Sequence, residues 1–308
     1  MASRHEPVLY HEVLSALNLA PGDKVIDGTA GGGGHLAGLL NAVGPTGQVM
    51  GIDADPKAIN LIKQKFFNDQ RLILINSWFS AIQKYVQRFN FEPVAAILLD
   101  LGWSADQLAD TSRGFSFNAS GQLDFRYNPQ TTVTAEHILN TATAEKLAEI
   151  FKNLGDEPRA KAIARSIVKQ RQVAPLKTTD DLRSAVAAVY RRQVGKLNPA
   201  TRVWQALRLA TNQELEELTK VLPVAVNILK PGGRLAVISF HSGEDRIVKN
   251  FFARASKDCL CPPEVPVCKC GHKAILKLIS RGVTKPTDQE IRTNPRSRSA
   301  RLRVAAKI

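Results

Sequence analysis

Long hydrophobic runs are missing from this chain. No apolar stretch reaches the ~20 residues that a membrane-spanning helix needs, and the opening M-A-S-R-H-E-P-V has none of the apolar core of a secretory signal. A cytoplasmic protein with no membrane partner is expected. Internal repeats and low-complexity tracts are absent as well, and no Ser-His-Asp spacing points to a hydrolase. Cysteine is scarce: four residues, all between positions 259 and 270. Acidic residues are outnumbered, 28 Asp/Glu against 42 Lys/Arg, leaving a net charge of +14 and a pI near 9.8.

The chain does have glycine, concentrated in one place. Lys24 to His35 reads K-V-I-D-G-T-A-G-G-G-G-H: a short apolar run, an acid, then Gly28 and Gly31 to Gly34 before the helix-like Leu36 to Asn41. That is a strand, a tight turn and a helix start, where bare N–H groups can meet a ligand. Gly32-x-Gly34-x-x-Ala37 also fits a dinucleotide fingerprint. Asp27 weighs against it, because a carboxylate at the turn repels a pyrophosphate and attracts the ammonium and sulfonium charges of S-adenosylmethionine. Gln48 to Asp55 is a second strand ending in acid, with Asp53 placed 22 residues after Gly31, where such units put the carboxylate that takes ribose hydroxyls. A helix-capping Asp is the plainer alternative.

With 308 residues, 44% of them hydrophobic, there is material for one large α/β domain with an insertion, or for two domains. Strands at Val25–Asp27, Gln48–Asp55, Arg71–Asn76 and Val94–Asp100 alternate with helices at Pro56–Phe67 and Phe79–Phe91, after a first helix within the opening twenty residues. This rhythm predicts a doubly wound, mostly parallel sheet with its ligand site at the carboxyl ends of the strands. From Ala109 to Arg202 the rhythm breaks into an aromatic loop, R-G-F-S-F-N-A-S-G-Q-L-D-F-R-Y, and helical patterns. In one of these Ala160, Ile163, Ala164, Ile167 and Val168 form an apolar stripe flanked by Lys161, Arg165 and Lys169. The α/β pattern resumes with one long helical segment from Ala200 to Lys230, then a Pro231-Gly232-Gly233 turn and a strand from Arg234 to His241. A helix from Asp245 to Ala255 and a closing antiparallel pair, Ala274–Ile279 and Ala300–Ala305, complete the pattern.

Charge is localised. Residues 109–206 carry 15 Lys/Arg against 9 Asp/Glu and residues 281–308 carry 8 against 2, which is 12 of the excess of 14. A basic surface beside a near-neutral glycine turn suits a polyanion, above all nucleic acid, although solvated basic faces also serve solubility. Arg296 and Arg298, on a strand, would face one side together and suit phosphates. Cys259-x-Cys261 and Cys268-x-Cys270, with Pro262, Pro263 and Pro266 stiffening the loop, fit either a structural zinc or four reduced thiols, since the pairs are tighter than C-x-x-C. His272 is a spare candidate ligand.

The fourth strand ends L-L-D-L-G-W-S-A-D-Q-L. An exocyclic base amine is a poor nucleophile that needs an acceptor for its protons and a surface for stacking. Asp100 and Trp103 offer these, against cap and core as ordinary roles. The Pro-Pro that usually follows such an acid is missing. In I-S-F-H-S-G-E-D-R, His241 is a candidate acid/base or substrate contact, and Ser242 with Asp245 a candidate capping box.

H-E-P-V-L, D-G-T-A-G-G-G-G-H, L-L-D-L-G-W-S-A-D-Q-L, R-G-F-S-F, L-D-F-R, R-A-K-A-I-A-R-S-I-V, N-P-A-T-R-V-W-Q-A-L-R, N-Q-E-L, I-S-F-H-S-G-E-D-R-I-V-K and N-P-R-S-R-S-A-R-L-R together resemble the bacterial 16S ribosomal RNA (cytosine-N4)-methyltransferase family over nearly the whole chain. The resemblance implies a class I, Rossmann-like methyltransferase fold with a helical insertion, and methyl transfer from S-adenosylmethionine to N4 of a decoding-region cytidine. It divides the chain into a first part of the methyltransferase domain (1–108), a substrate-recognition insertion (109–206) and a second part with the cysteine loop and basic C-terminal strand (207–308). By motif position it assigns cofactor contacts to Gly33, Gly34, His35, Asp53, Phe79, Asp100 and Gln107, with Asp100 also catalytic and no metal ligand. Phe79 would flank the adenine. Its implied partner is 16S rRNA or the small ribosomal subunit, with a homodimer left open. Trp103, Ala105, Asp106 and Gly243 depart from the family's usual residues, which bears on the base contacts rather than on the cofactor. The readings that compete with an enzyme of this kind are an RNA-binding assembly factor and a nicotinamide-dependent oxidoreductase.

Overall fold

Apolar runs bounded by turn residues become the strands of one sheet, seen in a computed structural model that describes residues 7–190, 198–262, 264–265, 267–280 and 282–308. The chain forms two units, Met1–Ser104 with Leu215–Ile308, and Ala105–Glu214. The first unit runs α1 (Tyr10–Leu17), β1 (Lys24–Asp27), α2 (Gly34–Val43), β2 (Gln48–Asp53), α3 (Pro56–Lys65), β3 (Leu72–Asn76), α4 (Ile82–Arg88) and β4 (Val94–Asp100). The second unit holds α5 (Ala105–Ala109), α6 (Ala135–Thr141), α7 (Ala144–Gly155), α8 (Ala160–Val173), α9 (Thr179–Ala187) and α10 (Pro199–Asn212). The first unit then resumes with α11 (Glu214–Ile228), β5 (Leu229–Ser239), α12 (Ser242–Ala255), β6 (Leu276–Leu278), α13 (Asp288–Thr293) and β7 (Arg301–Lys307).

The seven strands lie in the order β3-β2-β1-β4-β5-β7-β6, parallel from β3 to β5 and antiparallel where β7 sits between β5 and β6. This is the doubly wound, mostly parallel sheet and closing antiparallel pair that the sequence pattern predicts. Its strands are apolar on both faces, as parallel strands covered by helices must be. Val25, Val49, Ala96 and Leu98 face α1 and α2, while Ile26, Met50, Ile97 and Leu99 join the core with α4, α11 and α12. The strand order reverses between β1 and β4, and a crevice at that reversal is where such sheets bind ligands.

In the second unit the predicted stripe of α8 is buried at Ala160, Ile163, Ala164 and Ile167, with Lys161, Arg165 and Lys169 exposed. The aromatic loop supplies this unit's core. Phe115 and Tyr127 stack at 5.5 Å, and Trp204 packs on Phe117 and Phe125 while its Nε1–H donates to the Gly114 carbonyl at 3.1 Å.

Several expected boundaries differ. The helix expected from Phe79 starts as a single 3₁₀ turn, Phe79–Ala81. The single helix expected from Ala200 to Lys230 is two, broken at Gln213, whose φ of 51° carries the chain out of α10. Pro231-Gly232-Gly233 lies within β5, where pairing jumps from Val94–Leu229 to Ala96–Arg234 and Gly232 takes φ 76°. It is a bulge rather than a preceding turn. Arg296 and Arg298 fall in a 3₁₀ turn, Pro295–Ser299, not on a strand, since Pro295 has no N–H for a ladder and Ser297 Oγ donates to the Asn294 carbonyl at 2.8 Å. His5, Glu6, Pro263 and Pro266 lie outside the described residues.

Candidate active site

β1, β2 and β4 end in Asp27, Asp53 and Asp100, and the Gly31–Gly34 loop bends over these ends. Gly33 caps α2 with φ 70°, and a Cβ there would stand 2.9 Å from Phe66, so a side chain meets both strain and a clash. Lys65 Nζ, from the end of α3, donates to the carbonyls of Gly32 and Gly33 at 3.3 and 3.2 Å. Gly31 and Gly33 spend their N–H groups inside the loop, on Asp53 Oδ2 and the Ala30 carbonyl, and the first turn of α2 carries the N–H groups that an anionic or polar ligand group can use.

Asp53 binds the loop itself. Its Oδ2 accepts from Gly31 N–H and its Oδ1 from Asp55 N–H, each at 2.8 Å. Burial raises its pKa to about 7 against these two hydrogen bonds, with the charges of Asp55 and Asp27 adding to the rise. A carboxylate has about four acceptor positions, so two are left for a diol.

Asp27 departs from expectation. It is 1% exposed, lies beneath the turn rather than at its mouth, and accepts Thr29 N–H at 3.1 Å on Oδ1. Burial lifts its pKa to about 6, opposed chiefly by His35. It organises Thr29, whose Oγ1 in turn accepts Asp100 N–H at 2.6 Å and ties the glycine turn to the end of β4. Thr29 is a site residue that sequence reasoning missed; only its place in D-G-T hinted at a role.

His35 is 5% exposed, with Nε2 3.5 Å from Asp100 Oδ2 and its ring stacked on Tyr10 at 6.1 Å. Burial works against the charged ring, but Asp100, Asp27 and the Val8 backbone outweigh it and raise its pKa. His35 therefore stands against Asp100 at ion-pair distance, and both of its ring nitrogens are buried without a hydrogen-bond partner among the described residues. Asp100 keeps one oxygen in reserve: Oδ1 is buried with no hydrogen-bond partner among the described residues. An orphaned carboxylate oxygen at the carboxyl end of a central strand calls for a donor from outside the protein.

The structure brings Gly33, Gly34, His35, Asp53 and Asp100 together at one end of the sheet. Phe79, 9% exposed, follows β3 at the same end and packs edge-to-face on Trp78 at 6.3 Å. Gln107 is buried on α5 in the second unit. Trp103 is half-buried in the first unit.

His241 has a structural role. Its Nδ1 accepts N–H from Gly243 at 3.1 Å and Glu244 at 3.4 Å, while Glu244 Oε2 accepts Phe240 N–H at 2.8 Å and His241 N–H at 3.3 Å. The capping box of α12 is thus His241 with Glu244, not Ser242 with Asp245; Asp245 is taken by Arg301 at 2.8 Å and Arg303 at 2.7 Å. His241→Ala is expected to cost about 1 kcal/mol of stability and His241→Asn well under half of that, because Asn also caps. Urea unfolding checks this. Beside the cap lies a cavity of about 350 Å³ lined by Phe240, His241, Ser242, Lys285 and Arg298 to Arg301.

The residues at the sheet's carboxyl end fit S-adenosylmethionine: a crevice at the strand reversal, glycines where side chains would clash, an acid for a diol and a free carboxylate oxygen. Among the described residues no helix is long and apolar enough to cross a membrane. The MraW methylase family matches residues 2–308. The chain is 48% identical to the ribosomal RNA small subunit methyltransferase H of Thermomicrobium roseum, covering 100% of this chain and 95% of that one. It is 44% identical to the protein of the same name from Heliobacterium modesticaldum, covering all of both chains. With Coxiella burnetii strain CbuG_Q212 the identity is 42% over 99% of each. The chain belongs to the MraW methylase family and is an S-adenosylmethionine-dependent methyltransferase.

Proposed function

We propose that this enzyme methylates the exocyclic N4 of a cytidine in the decoding region of 16S ribosomal RNA, within the small subunit or its RNA. The observation that carries this reading is the buried, unpartnered Oδ1 of Asp100 at the carboxyl end of β4. Bound S-adenosylmethionine supplies an electrophilic methyl carbon. Asp53 would hold the ribose hydroxyls, the Gly33–Gly34 turn and His35 backbone would meet the amino-acid end, and Phe79 would flank the adenine. Gln107 is the remaining residue that the family resemblance assigns to the cofactor.

The cytidine amine shares its lone pair with the ring, so it attacks only when that pair is turned outward. Asp100 Oδ1 accepts one N4–H and fixes the amine's rotation; His35 Nε2, 3.5 Å from Oδ2, and the bond of Asp100 N–H to Thr29 Oγ1 restrain this end of β4. The proton that the amine sheds on methylation would pass to Asp100 Oδ1. Trp103 offers the base a stacking face.

Purified protein incubated with labelled S-adenosylmethionine and small subunits from a strain lacking it is expected to yield N4-methylcytidine on digestion and mass spectrometry. Transfer to no RNA substrate overturns the reading, and RNA binding without single-turnover methylation would identify an assembly factor instead. Sedimentation velocity on the same preparation reads out a homodimer.

Lys285 and Arg298 line the basic cavity beside α12 and suit RNA phosphates. Lys285→Glu with Arg298→Glu is expected to weaken RNA binding at least about tenfold and to make log K against log salt shallower by about two, one per lost phosphate contact. Filter binding at several salt concentrations measures both.

A further inference from the structure

Between α12 and β6 the chain makes an exposed excursion with little apolar packing of its own. Asp258 Oδ1 accepts Ala274 N–H at 3.3 Å, Ile275 N–H donates to the Ala255 carbonyl at 2.8 Å, and His272 Nε2 lies 3.0 Å from the Arg254 carbonyl. Those contacts close the neck of the loop. Its tip is organised around sulfur.

We propose that Cys259, Cys261, Cys268 and Cys270 bind one structural zinc ion as a tetrathiolate. The four Sγ atoms all lie within 4.8 Å of one another. Cys259 Sγ is 3.3 Å from that of Cys268 and 3.8 Å from that of Cys270, and Cys268 and Cys270 are 3.6 Å apart. A tetrahedral zinc with Zn–S bonds of about 2.3 Å requires ligand sulfurs about 3.8 Å apart. The cluster is therefore already close to the size of the coordination shell. Disulfides need sulfurs at about 2.05 Å, and all four cysteines are free thiols. The sulfurs are also too tightly grouped to enclose the inorganic sulfides of an iron–sulfur cluster.

Backbone geometry supports the assignment independently. Leu260 N–H donates to Cys270 Sγ at 3.3 Å, Cys261 N–H to Cys259 Sγ at 3.4 Å and Lys269 N–H to Cys261 Sγ at 3.4 Å. Four thiolates around Zn²⁺ leave a net charge of −2, and amide donors aimed at sulfur disperse it. Gly271 takes φ 63° directly after the last cysteine, turning the chain away from the cluster. With four protein ligands no coordination position is open, so the ion serves structure and not methyl transfer. It stands in for a hydrophobic core in a loop whose described residues bury none, and fixes the connection leading into β6.

The test uses the full chain, purified under reducing conditions from zinc-supplemented cells. Elemental analysis is expected to find about one zinc per chain, and the Cys259→Ser/Cys270→Ser variant less than a tenth of that. Replacing zinc with Co²⁺ alone should give the wild type, and not the variant, the visible bands of a tetrahedral cobalt tetrathiolate. Stripping zinc from the wild type with a chelator should raise amide hydrogen exchange across residues 256–275 at least tenfold while β1, β2 and β4 stay protected, which keeps the test independent of how the variant folds. Wild-type protein with four reactive thiols and no bound zinc overturns the proposal. So does iron in place of zinc, a pair of disulfides, or a variant that binds as much zinc as the wild type.

Discussion

Asp100→Ala is expected to slow single-turnover methyl transfer by about 10²- to 10⁴-fold, the usual worth of a positioned acid/base group, with the fold intact. The strand it ends is held elsewhere: Val94 to Leu99 are buried, and Asp100 N–H keeps its 2.6 Å bond to Thr29 Oγ1 when the side chain is lost. What disappears is the oxygen proposed to receive N4–H and the anion that stands 3.5 Å from His35. His35, raised by Asp100 and Asp27 against the pull of burial, should then titrate lower. Asp100→Asn is a sharper probe, because it keeps shape and one acceptor while exchanging the charge and the second acceptor oxygen for an amide N–H donor. Quench-flow methylation at saturating donor separates this from a binding defect, and a rate within threefold of wild type would remove Asp100 from the chemistry. The same pair sets a pH dependence of stability. A His pKa that is higher folded than unfolded stabilises fully below about 6.5 and loses that contribution as pH rises through the folded value.

Asp53→Ala is expected to weaken S-adenosylmethionine binding at least about 100-fold, roughly 2.7 kcal/mol. The change removes the proposed ribose acceptor and also two charge-assisted hydrogen bonds to Gly31 and Asp55, each worth about 1.5–3 kcal/mol, that shape the loop. Wild-type affinity should also depend on pH with a definite sign. With its pKa near 7, Asp53 is half protonated at neutrality in the free protein, and accepting two hydroxyls requires the ionised form. Affinity should fall by up to tenfold per unit as pH drops below 7, and Asp53→Asn should flatten the profile. Stability of the free protein runs the other way for this group. A carboxyl that holds its proton better when folded gains stability as pH falls from about 7 towards 4. Calorimetric titration with donor and thermal melts without it, from pH 6 to 8, read the two slopes separately; parallel slopes would refute the assignment.

Much of the sheet could be read from residue order. β2 and β4 end where an apolar run meets an acid, and the glycine turn lies where the alternation demands a helix start. Local physics decides such features: a run of Val, Ile and Leu buried on both faces, or a position where only glycine tolerates φ 70°. The errors fall where two local solutions are close in energy. Pro231-Gly232-Gly233 carries turn residues, yet pairing of Leu229 with Val94 draws it into β5 as a bulge. His241 and Ser242 both offer a cap, and it is the imidazole that reaches the N–H groups of Gly243 and Glu244.

By itself the sequence determined the strand–helix rhythm, the glycine turn, the acids at the strand ends and the proximity of the cysteines along the chain, since each depends on neighbours within a few residues. Only the tertiary structure decided that Asp27 is sealed under the turn, that Thr29 joins it to Asp100, that His35 stands 3.5 Å from one oxygen of Asp100 and leaves the other free, and that four sulfurs meet within 4.8 Å. Those outcomes depend on which atoms are shut away from water and on what stands 3 Å away across the sheet, and parallel strands joined by long crossovers bring together residues that linear order keeps far apart.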